Sequence, residues 1–339
     1  MTRISRRSFT RSAAVVGAAV AGGFSIGGAH AADFKLRYAN NLPASHPMNV
    51  RATEAAGEIA KRSNGKVEMQ VYPNNQLGND TSTLAQLRSG AVDFFTLSPI
   101  ILGSLVPSAQ ISGVGFAFAD EGQVWKAMDG DLGEHVRKEI AKTELFAFKN
   151  IWDNGFRVTT TSKAVIKGPN DLKGVKLRVP PGPLWVSMFK ALGASPASIN
   201  FAEVYAALQT NVVDGQENPI VLVFNAKLFE VQKHLALTNH MWDGFWFLGN
   251  KRSFDRLPSD LQDIVRESVE QAGLKQRADI KKLNETAADQ LKSAGMIFNE
   301  VDTNAFRDTL RAAGFYEEWH KKFGDDAWAM LEKFTGKLA

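Results

Sequence analysis

Residues 34–72, FKLRYANNLPASHPMNVRATEAAGEIAKRSNGKVEMQVY, set the architecture. Phe34, Leu36 and Tyr38 alternate with Lys35 and Arg37, the period of a half-buried strand. A helical stretch follows from about Met48 to Arg62 and stops at Asn64-Gly65, a natural C-cap. Val67, Met69 and Val71 then alternate as a second strand. Downstream, Asp80 is placed to cap a helix that carries Leu84 and Leu87 and ends at Gly90. A third apolar strand runs from Val92 to Leu97. Strand–helix–strand–helix–strand predicts an α/β fold with a mainly parallel sheet.

A second cycle begins beyond Ile151. It comprises a strand at Leu177–Val179, a helix at Leu184–Leu192 closed by Gly193, a strand at Ile199–Phe201 and a helix at Ala202–Gln209. A further helix is expected over Ile220–Gln232, then a strand around Phe245 and Phe247. One long helical pattern runs from Ser259 to about Ser293, marked by Leu261, Val265, Val269, Leu283 and Leu291. With 339 residues, 44% hydrophobic and 22% charged, the chain is expected to form two domains.

Residues 1–31 read as an export signal of the twin-arginine type. Arg6-Arg7 lies in SRRSFT, a weakly apolar run follows, and Ala29-His30-Ala31 offers a cleavage site near Ala31. The general secretory route is the alternative. These residues hold four arginines and no acid, which accounts for the whole formal charge of +4. The remainder is balanced, so basicity says nothing of nucleic acid. There is no cysteine. Thiolate catalysis and cysteine-based zinc sites are excluded, and stability must come from the core. No HExxH or P-loop appears, and His234 and His240 are not spaced for one helical turn. Asp214 and Glu217, within VVDGQENP, are expected to cap and brace a turn rather than to form a catalytic pair. No cofactor, no metal and no enzymatic activity are expected.

The strand at 175–179, VKLRV, ends in Pro180-Pro181. Arg178 stands at its lip, on the face opposite Val175, Leu177 and Val179. Alternation alone leaves two readings, a solvated edge or a ligand anchor.

The segments DLKGVKLRVP (171–180), FKALGASP (189–196), FAEVYAALQTNVVDGQENP (201–219) and KLFEVQKHLALTNH (227–240) occur in that order. Together with YPNNQLGND (72–80) and NGFR (154–157), they closely resemble the solute-binding subunits of TRAP (tripartite ATP-independent periplasmic) transporters. The resemblance implies a two-lobed clamshell of the periplasmic binding-protein type II, with chain crossovers and a long helix spanning both lobes. The lobes would be 32–154 plus about 243–283, and 155–242 plus about 284–339. It implies a periplasmic monomer that takes an organic acid in the interlobe cleft and delivers it to a small and a large membrane subunit. A receptor for a sensor kinase or an ATP-driven importer, or a periplasmic hydrolase, are the alternatives.

For individual residues, the resemblance implies that Arg178 forms a two-point salt bridge with the ligand carboxylate, for which a guanidinium fork is suited. Arg157 would join it and Asn218 would donate an amide N–H. Phe201 and Asn41 would line the cleft. Trp185, Trp152 and Trp242 are candidate walls, and His46 could face the cleft. Ser98 stands where sialic-acid-type members have glutamate, and Pro181 where they have asparagine. Both differences remove polar contacts, which tilts the expectation toward a smaller or aromatic acid rather than a sugar acid.

Overall fold

The computed structural model describes residues 32–338. The expected export signal lies outside the described residues. Eleven strands are present among them: β1 (Phe34–Ala39), β2 (Val67–Tyr72), β3 (Phe94–Leu97), β4 (Leu145–Ala147), β5 (Trp152–Thr161), β6 (Lys176–Val179), β7 (Ser195–Ser198), β8 (Gly215–Pro219), β9 (His234–Ala236), β10 (Trp242–Asn250) and β11 (Ile297–Asn299). The principal order is β2-β1-β3-β10-β5-β8-β6-β7.

The two ends of this order are parallel, as the strand–helix alternation predicts. β1 pairs with β2 and β3, and β6 pairs with β7 and β8, all in parallel. The centre differs from the expectation: β10 is antiparallel to β3 and β5, and β5 is antiparallel to β8. Alternation reports which face a residue takes but not strand direction. These two long strands therefore make the sheet mixed. Two other expectations shift. Ile199–Phe201 is not a strand; β7 ends at Ser198 and a 3-10 turn occupies Phe201–Glu203. The helix from Ile220 ends at Asn225, because Lys227 adopts φ 55° and turns the chain. That turn stacks Phe229 on Phe224.

Where β5 meets β10, the ladder is irregular. Asp243 pairs with Gly155 and Gly244 with Asp153, so Asn154 is an extra residue on β5. Gly155 has φ +106°, a conformation that disfavours any side chain. This bulge resets the alternation. Asn154 and Arg157, an odd number of residues apart, consequently reach the same cavity.

Behind the sheet runs the Ser259–Ser293 helix, 35 residues long and so about 52 Å. Its Gln276 clamps β5 by accepting from the Asp153 N–H (2.8 Å) and donating to the Asp153 carbonyl (2.6 Å). The largest apolar cluster joins Trp185, Phe189, Trp242 and Trp246 to Phe315, Trp319 and Trp328 of the C-terminal helices. No helix among the described residues is long and apolar enough to cross a membrane.

Candidate functional site

Parallel strands deliver their following loops to one edge of a sheet, where α/β proteins bind small molecules. Here those loops converge on one cavity. Asn41 follows β1, Ser98 follows β3, and Arg178 and Pro180 close β6. β5 and β10 cross the middle and contribute Asn154, Arg157, Asp243 and Phe245; Asn218 comes from β8. Asp80, Trp185 and Phe201 complete the polar and aromatic wall. Gly182, extended at φ −177°, lies against Ile100.

The two arginines are both buried, 2% and 1% exposed, yet differ in their partners. Every nitrogen of the Arg157 guanidinium has an acceptor. Its Nε and Nη2 grip the Glu217 carboxylate as a fork, with Nη2–Oε1 at 2.7 Å. Nη2 also donates to the Glu217 carbonyl (2.6 Å) and to Asn218 Oδ1 (3.0 Å), and Nη1 donates to Asp243 Oδ2 (2.8 Å). The guanidinium sits 4.9 Å from the Trp185 ring centre, a cation–π contact. Burial alone would lower its pKa, but the two carboxylates more than offset that.

The cluster extends further. Glu217 Oε2 pairs with His240 Nε2 at 3.0 Å, and His240 Nδ1 meets Thr238 Oγ1 at 2.8 Å. Asp243 accepts from Ser98 Oγ (2.7 Å) and Asn154 Nδ2 (2.9 Å). Burial pushes the Glu217 carboxyl up, yet Arg157 and His240 together hold it below the ordinary carboxylate range. Asp243 has a single Arg157 contact, and there burial wins and its pKa rises. Burial lowers His240 despite Glu217, keeping the imidazole neutral.

Arg178 is the opposite case. Nε donates to the Ile199 carbonyl at 2.9 Å, and Nη1 has no hydrogen-bond partner among the described residues. Phe201 is 5.9 Å from the guanidinium. Burial lowers its pKa to about 9, partly opposed by Glu217. Asp80, also 1% exposed, has both carboxylate oxygens without a partner. Burial raises its pKa to about 6, against the pull of Asn41 and Arg178. Asn41 Oδ1, Asn154 Oδ1 and Trp185 Nε1 complete the unpartnered polar atoms of the lining.

Of the residues expected from sequence, Arg178, Arg157, Asn218, Phe201, Asn41, Trp185 and Ser98 share this cavity. Trp242 does not line it: its Nε1 donates to Asp153 Oδ1 (2.9 Å) and its ring meets Trp125 edge-on. Trp152 is likewise interior, packed on Phe247. His46 is neither in the cleft nor at the surface. It is buried at the N-cap of the Pro47–Arg62 helix, where Nδ1 accepts from the Met48 N–H, and burial lowers its pKa to about 3. Pro180 lines the cavity but Pro181 does not. Glu217 is not a turn brace but a buried strand residue. Asp80 does not cap its helix, since Asn79 Oδ1 takes the Ser82 N–H at 3.0 Å. Asp80, Asn154 and Asp243 were not singled out as site residues by sequence. Asp80 and Asn154 do stand in the quoted YPNNQLGND and NGFR segments.

Comparison with known proteins identifies the family and the fold. A family model described as "Bacterial extracellular solute-binding protein, family 7" (DctP) matches residues 38–321. The 2,3-diketo-L-gulonate-binding periplasmic protein YiaO of Escherichia coli is 32% identical over 276 residues, 81% of this chain and 84% of that one. The C4-dicarboxylate-binding periplasmic protein DctP of Rhodobacter capsulatus is 30% identical over 307 residues, 89% and 91% of the two chains. Among solved structures, the sugar acid binding protein DctPAm of Advenella mimigardefordensis, in complex with galactonate, superposes with a TM-score of 0.86 at 29% identity, covering 91% of this chain and all of the other. A TRAP periplasmic solute binding protein of Sulfurospirillum deleyianum with bound succinate gives 0.85 at 28% identity, covering 90% and 99%. The fold is that of the TRAP periplasmic binding proteins, and the chain belongs to family 7 of the bacterial extracellular solute-binding proteins, a family of receptors.

Proposed function

We propose that this chain is the periplasmic receptor of a TRAP-type transporter and captures an organic acid by its carboxylate on Arg178. One observation carries the reading: Arg178 is a buried guanidinium whose Nη1 lacks a partner, beside an arginine that is fully paired. A buried unpaired cation is costly, and an incoming carboxylate relieves that cost. Arg157 acts mainly by fixing Asn218, Glu217 and Asp243 around the site.

The rest of the lining supports a hydroxylated acid over an aromatic one. Asn41, Asp80 and Asn154 each offer unpartnered acceptor oxygens, which match the O–H donors of a hydroxy acid. Ser98 is already engaged by Asp243 and adds little. The relatives bound to galactonate and named for diketogulonate fit this chemistry.

In this reading the lobes are 32–154 plus about 243–283, and 155–242 plus about 284–339, closing over the acid by hinge motion. The export signal sends the chain to the periplasm, where it acts as a monomer toward a small and a large membrane subunit. A thermal-shift screen tests the ligand class, using galactonate, galacturonate, erythronate, succinate and benzoate. A bound acid at about one hundred times its Kd stabilises by about 2.7 kcal/mol. A hydroxy acid should raise the melting temperature of wild type but not of Arg178→Lys. Equal shifts in both proteins, or no shift with any acid, would overturn the reading.

A further inference from the structure

We propose that Asp80 takes up a proton when an organic acid seats its carboxylate on Arg178, so that the site captures acids more tightly as pH falls. The proposal rests on the receptor reading and adds a charge balance to it. Asp80 opens the Asp80–Ser89 helix and lines the cavity, and neither of its buried carboxylate oxygens has a hydrogen-bond partner among the described residues. Its surroundings are enumerable. β5 supplies Arg157, β6 supplies Arg178 and β10 supplies Asp243 to the lining; Glu217 on β8 pairs with Arg157 without lining the cavity, and neutral His240 pairs with Glu217. Asn41, Arg178 and the backbone at Phe201 favour its ionised form, while Asp243 disfavours it.

Counting these charges decides the direction. Arg157 serves both Glu217 and Asp243. Arg178 alone stands against Asp80, with no ion pair within 4.0 Å between them among the described residues. With every acid ionised, the buried cluster already carries one excess negative charge. A bound carboxylate adds another and, by occupying Arg178, withdraws the cation that favoured ionised Asp80. Both changes raise the proton affinity of Asp80. Of these three carboxylates, Asp80 alone has no ion pair with an arginine among the described residues. In the free protein burial has already brought it to about 6, so near neutral pH a proton must come from solvent as the acid arrives. No covalent step is involved; the O–H formed on Asp80 also becomes a donor to a ligand hydroxyl.

The test is titration calorimetry with galactonate, galacturonate and erythronate, each ionised throughout, between pH 5.5 and pH 8. At pH 7 it is repeated in phosphate and Tris, whose ionisation enthalpies differ. Wild type should lose affinity by up to tenfold per pH unit above about pH 6 and take up most of one proton at pH 7. Asp80→Asn, close in shape and uncharged, should show a flat pH profile and no uptake. A flat profile without uptake in wild type overturns the proposal, and that measurement does not depend on the variant folding. So does an unchanged slope in Asp80→Asn. If none of the three acids binds at either pH, the receptor reading falls and this proposal with it. Binding that survives Arg178→Lys with affinity unchanged overturns the seating of the carboxylate on Arg178, and with it the proposed coupling to Asp80.

Discussion

Arg157 and Arg178 line one cavity and are almost equally buried, yet one is held by two carboxylates and the other by none. Arg157 is held by a fork to Glu217, by Asp243 and by Asn218. Arg178 makes one backbone contact through Nε and leaves Nη1 unpartnered. Burial alone therefore does not report a role. The number of donors left over separates them, and in the proposed reading the donor left unpaired is the one that the ligand pairs.

The largest expected effect tests the structural member. Arg157→Ala strands Glu217 and Asp243 and should cost about 3–5 kcal/mol, read as a lower midpoint in urea unfolding without ligand. A wild-type midpoint would erase the contrast. Next, Arg178→Lys should weaken the acid found in the screen about 100-fold or more while the free protein melts near wild type. Arg178→Met, free of ligand, should melt at or above wild type, since it removes an unpaired buried charge. Retained affinity in the lysine variant would show that the unpartnered Nη1 is incidental.

The acids beside the two arginines should carry opposite pH signs. Glu217 is held below its ordinary range, so its contribution is present above the unfolded carboxylate pKa and is lost as pH falls through the folded value. Asp80 is raised to about 6, so the fold is favoured at low pH and loses that advantage as pH climbs from about 4 to 6. Asp80→Asn should accordingly raise the ligand-free melting temperature by a few degrees at pH 7.5, with the gap closing by pH 4.5. A gap that widens in acid would reverse the assignment. The smallest effect is expected at the exposed Thr81 Oγ1 to Asn200 Oδ1 bond of 3.1 Å. Thr81→Ala should change affinity less than about threefold by calorimetry.

Much of the scaffold was legible. The 259–293 helix follows from its apolar spacing, and β1, β2 and the helix between them from period and caps. What stayed hidden are pairings between distant residues. Arg157 and Glu217 are 60 residues apart, and Ser98 and Asp243 are 145 apart. No local period reveals such partners. For the same reason Glu217 looked like a turn residue, Asp80 like a cap and His46 like a cleft residue. Trp242 was misplaced because a tryptophan in a strand looks the same whether it faces a cavity or the core. Arg178 is the instructive case: alternation put it on the polar face correctly, but only the enclosing loops turn that face from a wet edge into a buried site.

Gly182 sets a length scale for that site. A methyl group added there would lie 2.6 Å from Ile100 Cγ2 and 3.1 Å from the Ile100 carbonyl. The turn that follows β6 and the turn that begins with Ser98 thus meet with a clearance smaller than one carbon atom. Gly182→Ala would act as a spacer between these two turns, altering their separation without touching a single charge.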